Sequence, residues 1–138
     1  MKILVDANVL LDVALDRGEF VRESKEVVAW CQETAGSAMM AWHTVSNVYY
    51  VLRGARNDSF ARRFISDMLR FGDIAGGDAE AVRRALTLAL SDFEDALQVA
   101  AAMSAQAQWI VTRNAADYRG SPLPAITPRD FIRRFLSA

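Results

Sequence analysis

Short apolar runs alternate with longer amphipathic stretches along this chain. The first run, Lys2-Ile3-Leu4-Val5, ends abruptly at Asp6, the pattern of a buried parallel strand over 2–5. Val9, Leu10, Val13 and Ala14 then recur at helical spacing and predict a short helix over 9–16. Phe20, Val27, Val28 and Cys31 offer the inner face of a second helix over about 20–34, which Gly36 breaks. Ser37–Ala41 predicts a second strand, and Thr44 is a candidate cap for a helix running to about Arg53. Phe60, Phe64, Ile65, Met68 and Leu69 mark one side of a helix over about 59–70.

The second half repeats the alternation. Phe71–Ala75 predicts a short strand, and Asp78 caps a helix reaching about Ala89. Ser91-Asp92-Phe93-Glu94 reads as a capping box for a helix ending near Gln106. Trp109–Thr112 and Ala125-Ile126 predict the last two strands. Thr127-Pro128-Arg129-Asp130 combines a hydroxyl cap, proline at the first helical position and an acid three residues after the cap, opening a terminal helix. This succession predicts a single α/β domain over 1–138, with a mainly parallel sheet of about five short strands and helices on both faces. In such sheets ligands bind beyond the carboxyl ends of the strands, and Asp6 and Asn114 both fall just past a predicted strand.

Composition narrows the picture a little. The 138 residues, 52% of them apolar, suit one domain with a core of its own. The lone Cys31 cannot form an internal disulfide, which fits a reducing compartment. An opening that meets a carboxylate after three apolar residues is not expected to be a signal peptide, and no uncharged apolar stretch approaches the roughly 18 residues of a membrane span. The expected location is the cytoplasm. A formal charge of −1 decides nothing about nucleic acid, and the arginine bias (14 of 16 basic residues) suits phosphate but has a compositional explanation too.

The acids carry more. Asp6 stands at the mouth of the sheet, where capping of the next helix by Asp6 or Asn8 is an equal explanation. Asp92, Glu94 and Asp95 fill a first helical turn, as the helix dipole favours. That accounts for Asp92 and Glu94, but Asp95 adjoins the stripe Ala96, Val99, Ala100 and Met103, where an acid is costly unless paired or bound to a cation. Asn114 and Asp117 follow strand 109–112, either as an Asx turn with one helical turn or as part of a site. If the three acidic positions converge on one sheet edge, their repulsion calls for a divalent cation. Oxygen donors select Mg²⁺ or Mn²⁺, and one histidine (His43) with one cysteine leaves too few ligands for zinc.

Three segments, Ile3-Leu-Val-Asp6-Ala-Asn8-Val-Leu-Leu-Asp12, Asp92-Phe-Glu-Asp95-Ala-Leu-Gln98 and Ile110-Val-Thr112-Arg-Asn114-Ala-Ala-Asp117-Tyr118, resemble in this order the PIN-domain family, and Gly-Ser-Pro and Ile126-Thr-Pro extend the likeness over nearly the whole chain. Within that family the chain is most similar to the compact VapC-type toxin ribonucleases of bacterial toxin–antitoxin pairs. The resemblance implies an endoribonuclease acting through Mg²⁺ or Mn²⁺ on RNA, a cognate antitoxin partner and a homodimer. It implies metal ligands at Asp6, Asp95 and Asp117, with Asn47 and Asn114 completing the catalytic set and Asn8, Thr112 and Arg113 as substrate-positioning candidates. Asn47 departs from the pattern, since many members carry glutamate there, and Asn114 is neutral too. An alternative is therefore a weakened PIN-like module that binds RNA or a partner protein.

Other readings fit less well. A haloacid-dehalogenase-type phosphatase wants an aspartate at Asn8 and a downstream lysine, and none follows Lys25. A dinucleotide binder wants a Gly-x-Gly-x-x-Gly after the first strand, which is missing. Arg53, Arg56, Arg62 and Arg63 are candidates to guide an RNA backbone or a plain solvated face, while Tyr49, Tyr50 and Trp42 read as core or interface before base-stacking groups.

Overall fold

The computed structural model describes residues 1–137. Five parallel strands form one sheet in the order β3-β2-β1-β4-β5: β1 (Ile3–Val5), β2 (Ala38–Ala41), β3 (Gly72–Ala75), β4 (Trp109–Val111) and β5 (Ala125–Ile126). Between them run α1 (Ala7–Leu15), α2 (Val21–Glu33), α3 (Trp42–Ala55), α4 (Asp58–Met68), α5 (Ala79–Thr87) and α6 (Phe93–Ser104). A 3₁₀ turn (Ala115–Tyr118) follows β4, and α7 (Pro128–Phe131) continues as a π-type turn over Ile132–Leu136. The expected α/β architecture is present, with each strand within about a residue of its predicted bounds.

Alternation along the strands divides the core into two layers. Ile3, Val5, Met40 and Val111 face the layer holding Val9 and Leu10 of α1, Val27 of α2, Val48 and Leu52 of α3 and Phe131 of α7. Leu4, Met39, Ile110 and Ala75 face the other way, onto Val99 and Ala102 of α6. Small residues let α6 lie close: Ala96 and Ala100 meet Ala81 and Ala85 of α5 behind it. A parallel sheet needs both faces covered because its crossovers run over them, and here they are.

Several predicted caps moved. Thr44 does not cap α3: the helix opens at Trp42 directly after β2, with Ala41 at the junction and no side-chain cap, and Thr44 is buried in its first turn. Continuity of the chain from strand to helix left no loop residue to cap with. Ser91 yields the cap of α6 to Asp92, whose carboxylate accepts from the Glu94 amide at 2.8 Å. Glu94 turns away to meet His43 Nε2 at 3.2 Å, so the reciprocal half of the capping box does not form. The helix foreseen from residue 9 starts two residues earlier, capped by Asp6. Asp78 and Thr127 cap α5 and α7 as expected, and Asn57 caps α4. Among the described residues no helix is long and apolar enough to cross a membrane.

Candidate active site

Parallel order brings the carboxyl ends of β1 and β4 side by side, so Asp6 and Thr112 leave the sheet as neighbours. The Asp6 amide extends the ladder by donating to the Val111 carbonyl at 3.0 Å. Asp6 is 8% exposed, and its side chain is held by three donors. Oδ1 accepts from the Ala7 amide at 2.7 Å and from Gln98 Nε2 at 2.8 Å, while Oδ2 accepts from the Thr112 hydroxyl at 2.8 Å. Capping and membership of the site, opposed as readings of the sequence, coexist in this one carboxylate.

A pocket of about 420 Å³ opens above Asp6. Its walls carry Asp6, Asp92, Glu94, Asp95 and Asp117, with Asn8, Asn47 and Asn114 between them, and no basic side chain. Oxygens of Asp92, Glu94 and Asp95 lie within 4.8 Å of one another. The structure therefore gathers all three predicted aspartates and the three asparagines at one sheet edge. Asp117 comes from the 3₁₀ turn, where its amide donates to the Asn114 carbonyl at 2.9 Å. That turn is closed by Thr112, whose hydroxyl accepts from the Asn114 amide at 3.2 Å, and no Asx hydrogen bond from Asn114 forms.

Two substrate-positioning candidates are tied to carboxylates. Thr112 lines the pocket but is buried, its hydroxyl committed to Asp6 and the Asn114 amide. Arg113 lies outside the acidic pocket and grips Asp12. Arg113 and Asn114 form the turn after β4, and there Thr112 and Asn114 line the pocket while the Arg113 side chain is drawn to buried Asp12.

Four lining or supporting residues escaped the sequence reading. Asp92 and Glu94 had a sufficient explanation in the helix dipole, and only the fold sets them beside Asp95. Gln98 and Tyr118, buried beneath the pocket, left a fainter signal: Gln98 is a polar residue three positions after Asp95 within an apolar stripe.

The electrostatics follow from crowding. Burial pushes the Asp95 carboxyl up to about 6, with repulsion from Asp92 and then Glu94 adding to it. Asp6 is raised as well, chiefly by burial and further by Glu94, against the lowering pull of its hydrogen bond from Thr112. Tyr118, buried and beside Asp6 and Asp95, is pushed upward and stays a neutral phenol. An all-oxygen donor set with surplus negative charge fits a hard divalent cation.

A PIN-domain family model matches residues 2–116. No curated protein sequence matches the chain. Among solved structures, the chain is similar to a toxin–antitoxin complex from Klebsiella pneumoniae, with 21% identity over 92% of this chain and 98% of that one and a TM-score of 0.71. VapBC2 from Rickettsia felis, bound to a fragment of its promoter, gives 12% identity, coverage of 92% and 98%, and a TM-score of 0.72. VapC20 of Mycobacterium tuberculosis, a toxin that cleaves the sarcin–ricin loop, gives 14% identity, coverage of 79% and 87%, and a TM-score of 0.63. At these identities the likeness is one of fold.

Proposed function

The chain belongs to the PIN-domain family, and from that premise we propose that it is a divalent-cation-dependent endoribonuclease, the toxin of a cytoplasmic toxin–antitoxin pair. The observation that carries the reading is the convergence of five carboxylates, free of any basic side chain, at the carboxyl edge of a parallel sheet. Structural neighbours that are VapC toxins or their antitoxin complexes support the choice of RNA as substrate and of an antitoxin protein as partner.

Asp6, Asp95 and Asp117 would hold Mg²⁺ or Mn²⁺, with Asp92 and Glu94 close enough to contribute. When bound, such an ion supplies Lewis acidity, polarising a phosphodiester and acidifying water. The chain supplies the rest. Gln98 and Thr112 fix the orientation of the Asp6 carboxylate, so that little reorganisation is needed on ligand binding. Asn47 and Asn114, exposed at the pocket rim, offer amide groups that hydrogen-bond a phosphate or a sugar hydroxyl without adding charge. Exposed Trp42 and Tyr50 on α3 fit a homodimer interface, since large aromatics at 70% and 63% exposure cost solubility unless covered.

One observation favours a second reading. Asn47 lines the pocket with a neutral amide where the family resemblance implies an acid, as in a weakened module that binds RNA or a partner without cleaving. Cleavage of a mixed RNA pool with Mn²⁺ added separates the two. Chelator-sensitive cleavage that Asp6→Asn reduces at least tenfold is the expected result. Cleavage as fast in Asp6→Asn as in wild type would overturn the assignment.

A further inference from the structure

Thr112 and Asn114 line the acidic pocket, whereas Arg113 between them lines a second cleft, of about 260 Å³, at the same edge of the sheet. Just past β5, α7 supplies Arg129 and the π-type turn that continues it supplies Arg133, and Phe20 ahead of α2 closes one side. Three guanidinium groups thus share one concavity with a single acid, Asp130, in its wall.

Like charges do not gather without support, and here the support sits underneath. Buried Asp12 takes Arg113 Nη1 at 3.1 Å, and Glu23, with its side chain only 14% exposed, takes Arg129 Nη2 at 3.6 Å. Arg129 also lies over the Phe20 ring, 5.4 Å from its centre. A guanidinium has five N–H donors, so each anchoring contact leaves others to face the cleft in a fixed plane. Arg133 is 73% exposed and only loosely paired with Asp130, at 4.0 Å. Planar forks braced from behind and open in front suit a tetrahedral oxyanion.

On the nuclease reading above, a strand of RNA must bring one phosphodiester over five carboxylates while its neighbouring phosphates find positive charge nearby. The cleft lies one residue away along the chain from both Thr112 and Asn114. We infer that Arg113, Arg129 and Arg133 form a subsite for a backbone phosphate of single-stranded RNA adjoining the one to be cleaved. The ligand's identity rests on that reading; the anion site itself stands on the three arginines. Contacts from the three arginines to a phosphate carry no sequence information, so they add affinity and register.

The test is binding, kept apart from cleavage. A fluorescein-labelled single-stranded RNA of about ten nucleotides is titrated in EDTA, by anisotropy, across a salt series. Arg133→Ala, at an exposed position the fold does not need, should lower the slope of log affinity against log salt by about 0.7. Arg129→Ala with Arg133→Ala should lower it by about 1.4 and weaken binding about tenfold or more at 100 mM salt. Arg83→Ala, on the exposed face of α5, serves as the charge control and should move neither quantity by as much. Unchanged slopes in Arg133→Ala, equal effects from Arg83→Ala, or no RNA binding by wild type would each overturn the subsite. So would variants that lose affinity for an oligoglutamate peptide while keeping it for RNA. Arginine-dependent RNA binding without any Mn²⁺-dependent cleavage would keep the subsite and sink the nuclease reading. Cleavage with arginine-independent binding would do the reverse.

Discussion

Arg113 reaches across from the end of β4 to Asp12 in the middle of α1, its Nη1 lying 3.1 and 3.3 Å from the two carboxylate oxygens. Asp12 is wholly buried, and Arg17 Nε meets the same carboxylate at 3.2 Å. The chain reverses tightly after α1, with Asp16 and Gly18 both at positive φ, which carries Arg17 back over the carboxylate. This ion cluster ties α1 to the segment bearing Thr112 and Asn114, and so ties the two strand ends that form the site. Its neighbours on the chain line the pocket, yet its own groups do not.

Breaking that cluster should cost stability first. Asp12→Asn leaves Arg113 partly buried with no counter-charge, a loss on the order of 2–3 kcal/mol because both arginines still reach water. Arg17→Ala, removing the more exposed partner, should cost under about 1 kcal/mol. Urea melts with unchanged slope would measure both. An Asp12→Asn protein within about 0.5 kcal/mol of wild type would mean the buried bridge does not brace the fold.

Thr112→Val keeps the shape of the side chain and removes the hydroxyl that donates to Asp6. Since that hydrogen bond lowers the Asp6 pKa, the carboxyl should titrate higher in the variant. Loss of a charge-assisted hydrogen bond predicts a stability loss of about 1.5 kcal/mol, read in urea melts. A carbon-13 NMR titration that finds Asp6 unmoved would remove Thr112 from its positioning role.

Asp95 sets the expected pH dependence. Its carboxyl titrates near 6 in the fold, so cation binding, which needs the ionised form, should weaken as pH falls through 6. About tenfold loss between pH 7.5 and 5 follows from that value, where an ordinary carboxylate would stay ionised. The metal-free protein runs the other way. A folded pKa above the unfolded one favours the fold fully below about pH 4, and that advantage is lost as pH rises through 6. Asp95→Asn should therefore raise the metal-free Tm at pH 7.5, by a few degrees once partial exposure is discounted, and by about half as much at pH 5. Equal Tm gains at both pH values would contradict the raised Asp95 pKa that burial and the neighbouring Asp92 and Glu94 produce.

Asn47→Glu adds a sixth carboxylate to the pocket. Close to a cation, one more charge contributes on the order of 1 kcal/mol or more at an effective dielectric near 20, so Mn²⁺ should bind at least severalfold tighter. The rate need not follow, because a tighter ground state is not a better transition state. If wild type neither binds Mn²⁺ nor cleaves RNA while Asn47→Glu does both, the natural protein is the weakened binding module.

Apolar periodicity and turn chemistry determined most of this architecture on their own. A run of three or four apolar residues closed by an acid has few outcomes besides a buried strand, and Asp78 and Thr127 announce their helices because a cap acts within one turn. The position of Asp6 just past β1 was legible for the same reason. What the chain alone left open depends on distances between residues 80 to 110 positions apart. Nothing local in Gln98 reveals that its amide reaches Asp6, and Glu94 looks like any acid in a first turn until β1, β4 and α6 are packed together. The direction of Arg113, onto Asp12 and away from the acidic pocket, was likewise decided by the tertiary placement of buried Asp12 beside the turn that follows β4. Charge acts through space, so the sum of five carboxylates in one pocket, and the raised pKa it gives Asp95, exists only once the sheet has formed.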